Sequence, residues 1–397
     1  MANSDFYFKS LNTELKANGF GRPTLVLDLD RLDQNIALVN QNIPEAKGYR
    51  IVAKSLPSVK LLEYIAEKTN TKRLMVFHQP FLSLLVNQFP FYDFLIGKPF
   101  PVKALETFHK KINSQNTTVI FEQITWLIDT EARLLQYLAY AKVNQLKLKI
   151  SIEIDVGLRR GGAQNTSVTK QILDIIQKNP EQLIFDGFMG YEAHIPSAPP
   201  VIASFEKARQ ASLKTYQSHV DLLKNEYPNL WHEQLIFNGA GSKTYMLYQN
   251  DELPNDISMG SALVMPTDFD SDLLRDHQPA LFIATPVLKK WQGTKLPFLE
   301  KVFSFLYKFN SNKQQTLFIY GGKWYAKYEY PKNLNSNALY GYSTNQEIVN
   351  CSNDNEIEVD DYVFLRPTQS EYMMLQFGDI TIVKNGKIVD QWSVFSQ

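Results

Sequence analysis

One lysine lies where its amine could act as a nucleophile. Lys54 follows the apolar run 50–53 (Arg-Ile-Val-Ala) and precedes Pro57, which suits a first helical turn. We therefore expect Lys54 at the junction of a strand and a helix. In an α/β barrel that edge carries the chemistry, and a lysine there can form a Schiff base with a carbonyl compound. A solvated lysine that caps a buried strand is the structural alternative.

Two arginines lie among glycines after another apolar run. The run 152–155 (Ile-Glu-Ile-Asp) is followed at 156–162 by Val-Gly-Leu-Arg-Arg-Gly-Gly. The glycines permit a tight turn, and Arg159 and Arg160 would place fixed cations at the end of the strand. This pattern favours an anionic ligand, although a turn with a solvated arginine pair would have the same sequence.

A phenol and an imidazole follow a third run. Tyr191 and His194 lie in Gly-Tyr-Glu-Ala-His, residues 190–194. Both rings could stack on, or hydrogen-bond to, a bound ring. A packed histidine is the commoner explanation of a single one.

A loop of small residues follows a fourth run. Residues 238–245 read Asn-Gly-Ala-Gly-Ser-Lys-Thr-Tyr. Such a loop at the start of a helix presents free N–H groups and the positive helix end, which together bind phosphate. Neither the dinucleotide spacing nor a P-loop is present, and a plain glycine-rich turn is the alternative. The candidate phosphate ligands are Asn238, Gly239, Ala240, Gly241 and Ser242.

Eight strand-like runs separated by helical segments must position these residues. The runs occupy 50–53, 73–77, 92–96, 117–122, 147–155, 183–192, 234–238 and 256–264. Eight strands alternating with helices predict an α/β fold of the (β/α)₈ TIM-barrel type, with an open doubly wound sheet as the competing architecture. In the barrel, Lys54 ends the first strand and Arg160 follows the fifth. The small-residue loop follows the seventh, where barrel enzymes often bind phosphate.

The pattern changes after Pro279 to strand-like runs with short turns. These runs lie at 280–291, 301–309, 316–320, 338–343, 356–366 and 372–394. The sequence Lys-Asn-Gly-Lys at 384–387 is typical of a two-residue hairpin turn. This part predicts a separate antiparallel β domain, and the run 24–29 is expected to join its sheet. The predicted boundaries are 1–21 for an N-terminal arm, 22–275 for the barrel and 276–397 for the β domain.

Composition excludes several classes of function. The 41 Lys and Arg balance 41 Asp and Glu, so no charge excess for nucleic acid or anionic lipid is present. The single cysteine, Cys351, excludes an intramolecular disulfide and a multi-cysteine metal site. No uncharged stretch is long enough for a signal peptide or a membrane span. We expect a cytoplasmic protein with no nucleic-acid or membrane partner.

Together, the lysine and the phosphate site indicate a cofactor. A lysine on the first strand, facing a phosphate site after the seventh across the barrel mouth, indicates pyridoxal 5′-phosphate held as a Schiff base on Lys54. The cofactor would provide an electron sink, and the protein would hold the phosphate and choose the bond to break.

The four stretches resemble those of the fold-type III PLP enzymes, which include alanine racemase, D-threonine aldolase and D-serine dehydratase. The more specific pieces are 52–55, 153–160, 190–194 and 238–242, and they occur in the same order. The resemblance implies that Lys54 carries the cofactor, that Arg160 faces its phenolic oxygen and that Tyr191 and His194 lie by its ring. It assigns the phosphate to residues 239–242. It also implies a homodimer in which the partner's β domain completes each active site.

One stretch departs from the aldolase and dehydratase members of that group. Those members bind a metal through a histidine and a cysteine or aspartate two residues later, just after a proline in the β domain. Here residues 367–371 read Pro-Thr-Gln-Ser-Glu, so Gln369 replaces the histidine and Glu371 its partner. The last histidine of the chain is His277. We expect no tightly bound zinc, and Glu371 alone could bind Mg²⁺ or Mn²⁺ with water ligands.

Three functions are consistent with this resemblance. The first is a lyase that acts on a β-hydroxy D-amino acid by aldol cleavage or by dehydration. In it Lys54 is the first catalytic group, and Glu371 takes the role that a metal fills elsewhere. A structural carboxylate in an ion pair is the alternative for Glu371.

The second function is an amino-acid racemase, which needs a second base on the opposite face of the substrate. Tyr325 and Tyr328 are its candidates, although aromatic residues in strands are more often core. The third is a PLP-binding protein without turnover. The additional β domain argues against this third function, because such proteins resemble the barrel alone.

Overall fold

The structure is a computed structural model that describes residues 2–112, 117–197, 204–293 and 314–396. Its strands, in chain order, are β1 (Thr24–Asp28), β2 (Gly48–Val52), β3 (Arg73–Val76), β4 (Asp93–Ile96), β5 (Ile124–Ile128), β6 (Leu148–Ile154), β7 (Leu183–Gly190), β8 (Ile236–Gly239), β9 (Asp256–Met259), β10 (Leu281–Gln292), β11 (Gln315–Tyr320), β12 (Ala326–Tyr330), β13 (Asn335–Ser336), β14 (Gln346–Cys351), β15 (Tyr362–Pro367), β16 (Asp379–Lys384) and β17 (Lys387–Ser393).

The α-helices are α1 (Ala2–Asn18), α2 (Leu29–Asn42), α3 (Val59–Thr69), α4 (Gln79–Gln88), α5 (Val102–Lys111), α6 (Thr117–Glu122), α7 (Glu131–Asn144), α8 (Thr166–Lys178), α9 (Phe205–Glu226) and α10 (Ser370–Phe377). Polar side chains begin three of them. Thr130, Asn165 and Ser204 each accept a hydrogen bond from the N–H three residues later, at the start of α7, α8 and α9. Over the described parts of the chain, no helix combines the length and the apolar character that a membrane span requires.

The chain divides into two units. The barrel unit comprises Ile36–Ala262 and Ser271–Asp276, and the sheet unit comprises Met1–Asn35, Leu263–Asp270 and His277–Ser396. The predicted N-terminal arm is the long helix α1, which belongs to the sheet unit.

The described strands β2 to β9 close into a parallel barrel. Neighbouring strands pair in chain order, and β2 pairs with β9 through Ile51 and Met259 to complete the circle. Each strand is short and mostly buried, as expected where helices cover the outer face of a parallel sheet. The predicted (β/α)₈ barrel is therefore confirmed, and the doubly wound alternative is wrong.

One predicted barrel strand is wrong. The run 117–122 is the helix α6, in which Ile120 and Phe121 are buried on one side. The strand is the next segment, β5, all of whose residues are buried between β4 and β6. Two apolar runs lie side by side in the sequence here. Only the second is apolar enough to be covered on both faces.

Apolar side chains fill the barrel interior below its carboxyl-terminal edge. Val52, Met75, Leu95, Leu127 and Met189 form one buried cluster, one residue from each of five strands, and the half-buried ring of Phe77 packs on it. This layer separates the carboxyl-terminal edge from the charged groups at the other end of the strands.

Those charged groups form a buried network centred on Arg50. Its Nε donates to Asp256 at 2.8 Å, and its two terminal nitrogens donate to Asp93 at 3.0 Å each. Arg73 adds a second cation to Asp256 at 2.7 Å. Burial opposes the charge of Arg50, but Asp256 and Asp93 outweigh it and raise the guanidinium pKa. Arg50 is therefore a buried but paired cation that joins three strands.

The sheet unit contains nine described strands in one mainly antiparallel sheet. The order along it is β13-β14-β11-β10-β1-β16-β17, with β15 paired to both β10 and β12. Strand β1 lies between β10 and β16, antiparallel to the first and parallel to the second. The predicted β domain is confirmed, and the run 24–29 lies in its sheet.

The strands of this sheet differ in part from the predicted runs. The hairpin turn is present, because Asn385 and Gly386 both have positive φ between β16 and β17. The run 338–343 is not a strand, and the strand β14 follows it instead. Residues 370–377 form the helix α10 rather than a strand. The run 301–309 lies outside the described residues.

Helix α1 packs on one face of the sheet. Phe8, Leu11 and Leu15 are buried at three- and four-residue spacing against Val26 and Phe282. This amphipathic spacing explains why the N-terminal segment, expected to be an arm or a short helix, is a helix of 17 residues.

Candidate functional site

Lys54 lies at the carboxyl-terminal edge of the barrel. Strand β2 ends at Val52 and continues as a single 3₁₀ turn, Ala53–Ser55. Helix α3 begins only at Val59, so Pro57 precedes the helix instead of lying in its first turn. The side chain of Lys54 is half-buried, and its Nζ lies 4.5 Å from the centre of the Phe77 ring. The predicted junction is thus present, with a short turn inserted between strand and helix.

The small-residue loop after β8 meets the loop after β9. The hydroxyl oxygen of Ser242 accepts hydrogen bonds from the N–H groups of Gly260 and Ala262, at 3.3 and 3.1 Å. Because that oxygen accepts twice, its proton is directed elsewhere and can be donated to a ligand. Gly260 is required by space, since a Cβ there would lie 2.9 Å from the carbonyl oxygen of Val52. The loops after the seventh and eighth barrel strands therefore converge at one hydroxyl group.

Two of the N–H groups predicted to bind phosphate have acceptors within the protein. Ala240 donates to the carboxylate of Glu192 at 3.3 Å, and Gly241 donates to the hydroxyl of Thr244 at 3.0 Å. Thr244 in turn donates to Glu192 at 2.6 Å. Glu192 and Thr244 therefore hold the loop in place, and its binding of phosphate stays a prediction.

Asn238 is directed into the barrel network. Its side-chain amide donates to Asp256 at 2.6 Å and to Ser258 at 2.7 Å, and the residue is buried. Through Asp256 it reaches the guanidinium of Arg50. In the structure Asn238 fixes the start of the loop, so its predicted role as a direct ligand remains only a prediction.

Tyr191 connects the loop after β7 to the small-residue loop and to Arg160. The guanidinium carbon of Arg160 lies 4.9 Å from the centre of the Tyr191 ring, within cation–π range. A Cβ at Gly241 would lie 2.8 Å from Cε2 of the same ring. The ring therefore packs on the backbone of Gly241, which explains the glycine there.

The two arginines have different surroundings. Arg159 pairs with Asp155 at 3.5 Å and is otherwise exposed, with a positive φ that the loop imposes. Arg160 instead faces Tyr191. The structure thus brings one of the two predicted cations to the aromatic group.

His194 is held beside Gly157. A Cβ on Gly157 would lie 2.9 Å from Nε2 of the imidazole, and Gly157 also has a positive φ. The same Nε2 is 3.4 Å from the hydroxyl of Ser212 on α9. Burial lowers the imidazole pKa, with Asp155 opposing, so the neutral ring is favoured. Nδ1 is buried and has no hydrogen-bond partner among the described residues.

Glu153 is a site residue that the sequence analysis did not single out. It alternates with Ile152 and Ile154 on β6, on the same face as Ser151, which pairs with Leu127 of the interior cluster. Its carboxyl group therefore faces the barrel interior at the carboxyl-terminal edge. Burial, and then the charge of Asp129, raise its pKa to about 7, while Arg160 opposes the shift. The strict alternation in Ile-Glu-Ile could have revealed this residue.

Glu192 was also missed. It is buried, and burial raises its pKa to about 7 against the opposing hydrogen bonds from Thr244 and Ala240. It lies beside Tyr191 in the sequence, but only the fold shows that it holds the small-residue loop.

The candidates for a second catalytic group belong to the sheet unit. Glu371 is half-buried in the first turn of α10, and the neighbouring Gln369 donates to Asp268 at 3.2 Å. Tyr328 donates its hydroxyl to Glu347 at 2.8 Å, and burial raises its pKa. Tyr325 is 49% exposed. Across the described ranges, no group of three or more His, Cys, Asp or Glu could hold a metal ion.

The sequence of the barrel matches a known family. The family described as alanine racemase, N-terminal domain, matches residues 27–268, which is more than half of the chain. The chain belongs to this family. It is thereby a fold-type III PLP-type protein, as the resemblance implied. A search of curated protein sequences found no significant match.

Solved structures with the same fold cover nearly all of this chain. The D-threonine aldolase from Filomicrobium marinum superposes with a TM-score of 0.73 at 12% identity, over 94% of this chain and 96% of that one. The D-threo-3-hydroxyaspartate dehydratase from Delftia sp. HT23 gives 0.71 at 13% identity, over 94% and 97%. The alanine racemase from Bacillus anthracis gives 0.67 at 15% identity, over 94% and 98%. At these identities the likeness shows the fold, a barrel followed by a β domain.

The cofactor that this fold-type III family implies fits the residues present. An amine at the strand end suits an aldehyde, and the hydroxyl of Ser242 between two converging loops suits a phosphate. The buried Nδ1 of His194 has no hydrogen-bond partner within the described ranges, and a buried polar atom is normally paired. The site thus provides a group for each end of pyridoxal 5′-phosphate and a ring beside it.

Proposed function

We propose that this protein is a PLP-dependent lyase that cleaves or dehydrates a β-hydroxy D-amino acid, with Lys54 as the cofactor lysine. The observation that carries the proposal is the placement of the Lys54 amine at the barrel edge, in the same unit as the Ser242 hydroxyl that joins two loops. The aldolase and the dehydratase give higher TM-scores, 0.73 and 0.71, than the racemase, 0.67. At 12–15% identity these scores show the fold alone, so the choice between lyase and racemase is left to the amino-acid panel described below.

When bound, pyridoxal 5′-phosphate supplies an electron sink for charge that develops at the α-carbon of an amino acid. The protein's residues would bind and orient the cofactor. Ser242, whose hydroxyl oxygen accepts from the N–H groups of Gly260 and Ala262, would hold the phosphate. Arg160 would place its positive charge at the phenolic oxygen, and the neutral ring of His194 would lie beside the pyridine ring. Asn238 would keep the loop in place.

Lys54 would also move a proton. Once its amine is no longer bonded to carbon, it becomes a base within the site. For dehydration it would take the α-proton of the amino acid, and a second group would protonate the departing hydroxyl. For aldol cleavage a base must instead take the proton of the β-hydroxyl. Glu371 is our candidate for both roles, the acid in dehydration and the base in aldol cleavage.

Glu371 belongs to the sheet unit, so the proposal includes a homodimer in which the partner's sheet unit completes each site. The proposal also takes this dimer to be cytoplasmic. Mixing two inactive variants, Lys54→Ala and Glu371→Gln, tests the shared site directly. A hybrid dimer would contain one site with both residues intact, so activity should return on mixing. If Glu371→Gln alone keeps full turnover, its proposed role is wrong.

A panel of D- and L-amino acids tests the reaction. The purified protein with pyridoxal 5′-phosphate is incubated with each amino acid, and ammonia, aldehyde and the enantiomer ratio are measured. Ammonia without added oxidant indicates dehydration, aldehyde with glycine indicates aldol cleavage, and loss of optical activity alone indicates the racemase. None of the three, with a stable visible absorbance band, would contradict an enzymatic role.

Lys54→Arg provides the control for the cofactor. It keeps a positive charge but should abolish the visible absorbance of bound pyridoxal 5′-phosphate and reduce turnover to background. Survival of that absorbance would refute the assignment of Lys54.

A further inference from the structure

We propose that Phe77 is a positioning residue whose ring holds the amine of Lys54 at the barrel edge, in space that Gly97 leaves for it. The inference rests on the proposed function of Lys54 as the cofactor lysine. It concerns two residues that directly follow β3 and β4 at the carboxyl-terminal edge of the barrel. Neither of them touches the small-residue loop in any contact described above.

The contact between the amine and the ring has the geometry of a cation–π interaction. Nζ of Lys54 lies 4.5 Å from the centre of the Phe77 ring, inside the usual limit of about 6 Å. Phe77 follows Met75 by two residues, so its ring lies on the interior side of the barrel, packed on the apolar cluster. The packing of this cluster against the Phe77 ring limits the positions that the ring can take.

Gly97 explains why the ring can lie there. A Cβ built on Gly97 would lie only 2.3 Å from Cζ of Phe77 and 2.5 Å from Cε1. Strands β3 and β4 pair through Val76 and Ile96, which places Phe77 and Gly97 side by side. Gly97 is not among the glycines with positive φ, so its backbone does not demand a glycine. The space for the Phe77 ring is what excludes a side chain.

This arrangement matters when the amine is not bonded to carbon. A lysine side chain has four rotatable bonds, so its amine can occupy several positions at the barrel edge. The face of the ring attracts the ammonium form and limits those positions. The amine would then stay near the reacting atoms once it has taken the α-proton and carries the positive charge that the ring attracts.

Nuclear magnetic resonance of the full-length protein tests the position directly. The protein is freed of carbonyl compounds with hydroxylamine, and its lysines are dimethylated with isotope-labelled formaldehyde. Lys54→Arg identifies the Lys54 signal by its loss. Methyl groups above an aromatic face are shielded, so we expect this signal upfield of the signals from surface lysines.

Three variants distinguish the effect of the aromatic face of Phe77 from the effect of its size. Phe77→Leu keeps an apolar side chain but removes the aromatic face, and should move the Lys54 signal to the position of surface lysines. Phe77→Tyr keeps the face and should retain the shift. Gly97→Ala keeps the phenylalanine but displaces its ring, and should lose the shift as Phe77→Leu does.

The outcomes decide the proposal even if a variant fails to fold. A Lys54 signal in the unmodified sequence that coincides with those of surface lysines would overturn it without any variant. So would an unchanged signal in a folded Phe77→Leu protein. This measurement needs no turnover, so it can fail while Lys54 still binds the cofactor, or succeed if the proposed reaction is wrong.

Kinetics give a second readout once a substrate is known. Loss of a cation–π contact should lower kcat by about two- to fivefold in Phe77→Leu, with KM unchanged and Phe77→Tyr near normal. A rise in KM with kcat unchanged would indicate a contact with substrate instead, and would contradict positioning through Lys54.

Discussion

The side-chain amide of Asn238 donates a hydrogen bond to the carboxylate of Asp256 at 2.6 Å, inside the barrel and away from solvent. This bond links the first residue of the small-residue loop to the charges of Arg50 and Arg73. The loop is therefore anchored by an ion-pair network at the opposite end of the strands.

Replacing Asn238 with Asp should destabilise the protein strongly. The new carboxylate would lie at hydrogen-bond distance from Asp256, and both charges would be buried. We expect the free energy of unfolding to fall by about 2–4 kcal/mol, measured by urea denaturation at neutral pH. The exposed Asn87→Asp is the matched control and should change it by less than about 0.5 kcal/mol. Equal effects of the two changes would contradict the anchoring role.

Ser242→Ala should weaken cofactor binding. The change removes the acceptor of two N–H groups, those of Gly260 and Ala262, together with the hydroxyl proposed to donate to the phosphate. We expect the dissociation constant of pyridoxal 5′-phosphate to rise about tenfold to a hundredfold, measured by equilibrium dialysis. The exposed Ser218→Ala should leave it unchanged. A Ser242→Ala protein with normal affinity would place the phosphate elsewhere.

Gly241→Ala should act through Tyr191. The added Cβ would lie 2.8 Å from the tyrosine ring and would push it from the loop. We expect weaker cofactor binding than in the unmodified protein. The double variant with Tyr191→Leu should show less than the sum of the two single effects, because both disturb the same contact. Fully additive effects would show that Gly241 and Tyr191 act independently.

Glu153→Gln should change how stability depends on pH. Burial, followed by the charge of Asp129, raises the folded-state pKa of Glu153 from 4.5 to about 7, so between those values the folded state holds a proton that the unfolded state has lost. Stability contributed by this group therefore falls as pH rises through that window. The neutral amide of the Glu153→Gln variant does not titrate and escapes this loss.

Urea denaturation at several pH values measures the effect. Relative to the unmodified protein, Glu153→Gln should be more stable at pH values above the folded-state pKa and similar below the unfolded-state value. Glu131→Gln, at an exposed helix position, should show no such difference. A constant difference across the whole pH range would mean that Glu153 does not titrate with a raised pKa.

Much of the barrel can be predicted from local sequence, because buried parallel strands are short apolar runs. In the closed barrel these strands are neighbours in the order in which they occur in the chain. The error at 117–122 shows the limit of that reasoning. Two neighbouring runs both have strand-forming residues, and only burial on both faces selects β5. The sheet was harder to predict, since its edge strands are polar or very short, such as β13 and β12.

The site was predictable where a residue type at a strand end implies its own chemistry, as with Lys54. It was not predictable where a distant residue decides the outcome. Nothing near Ala240 in the sequence shows that Glu192 accepts from its N–H, and nothing near Phe77 shows the space above Gly97. Such pairs join different strands, so only the closed barrel brings them together.

The position of β1 has a consequence for how the chain is made. Leu25 pairs with both Ile283 and Ile380, so this inner strand of the sheet is synthesised more than 200 residues before either of its partner strands. The barrel segment lies between them and can fold first. Until the partner strands are made, both edges of β1 lack hydrogen-bond partners, and unpaired strand edges favour aggregation. The sheet unit should therefore assemble slowly and late, and a nascent chain stalled before β16 should be the species most prone to aggregate.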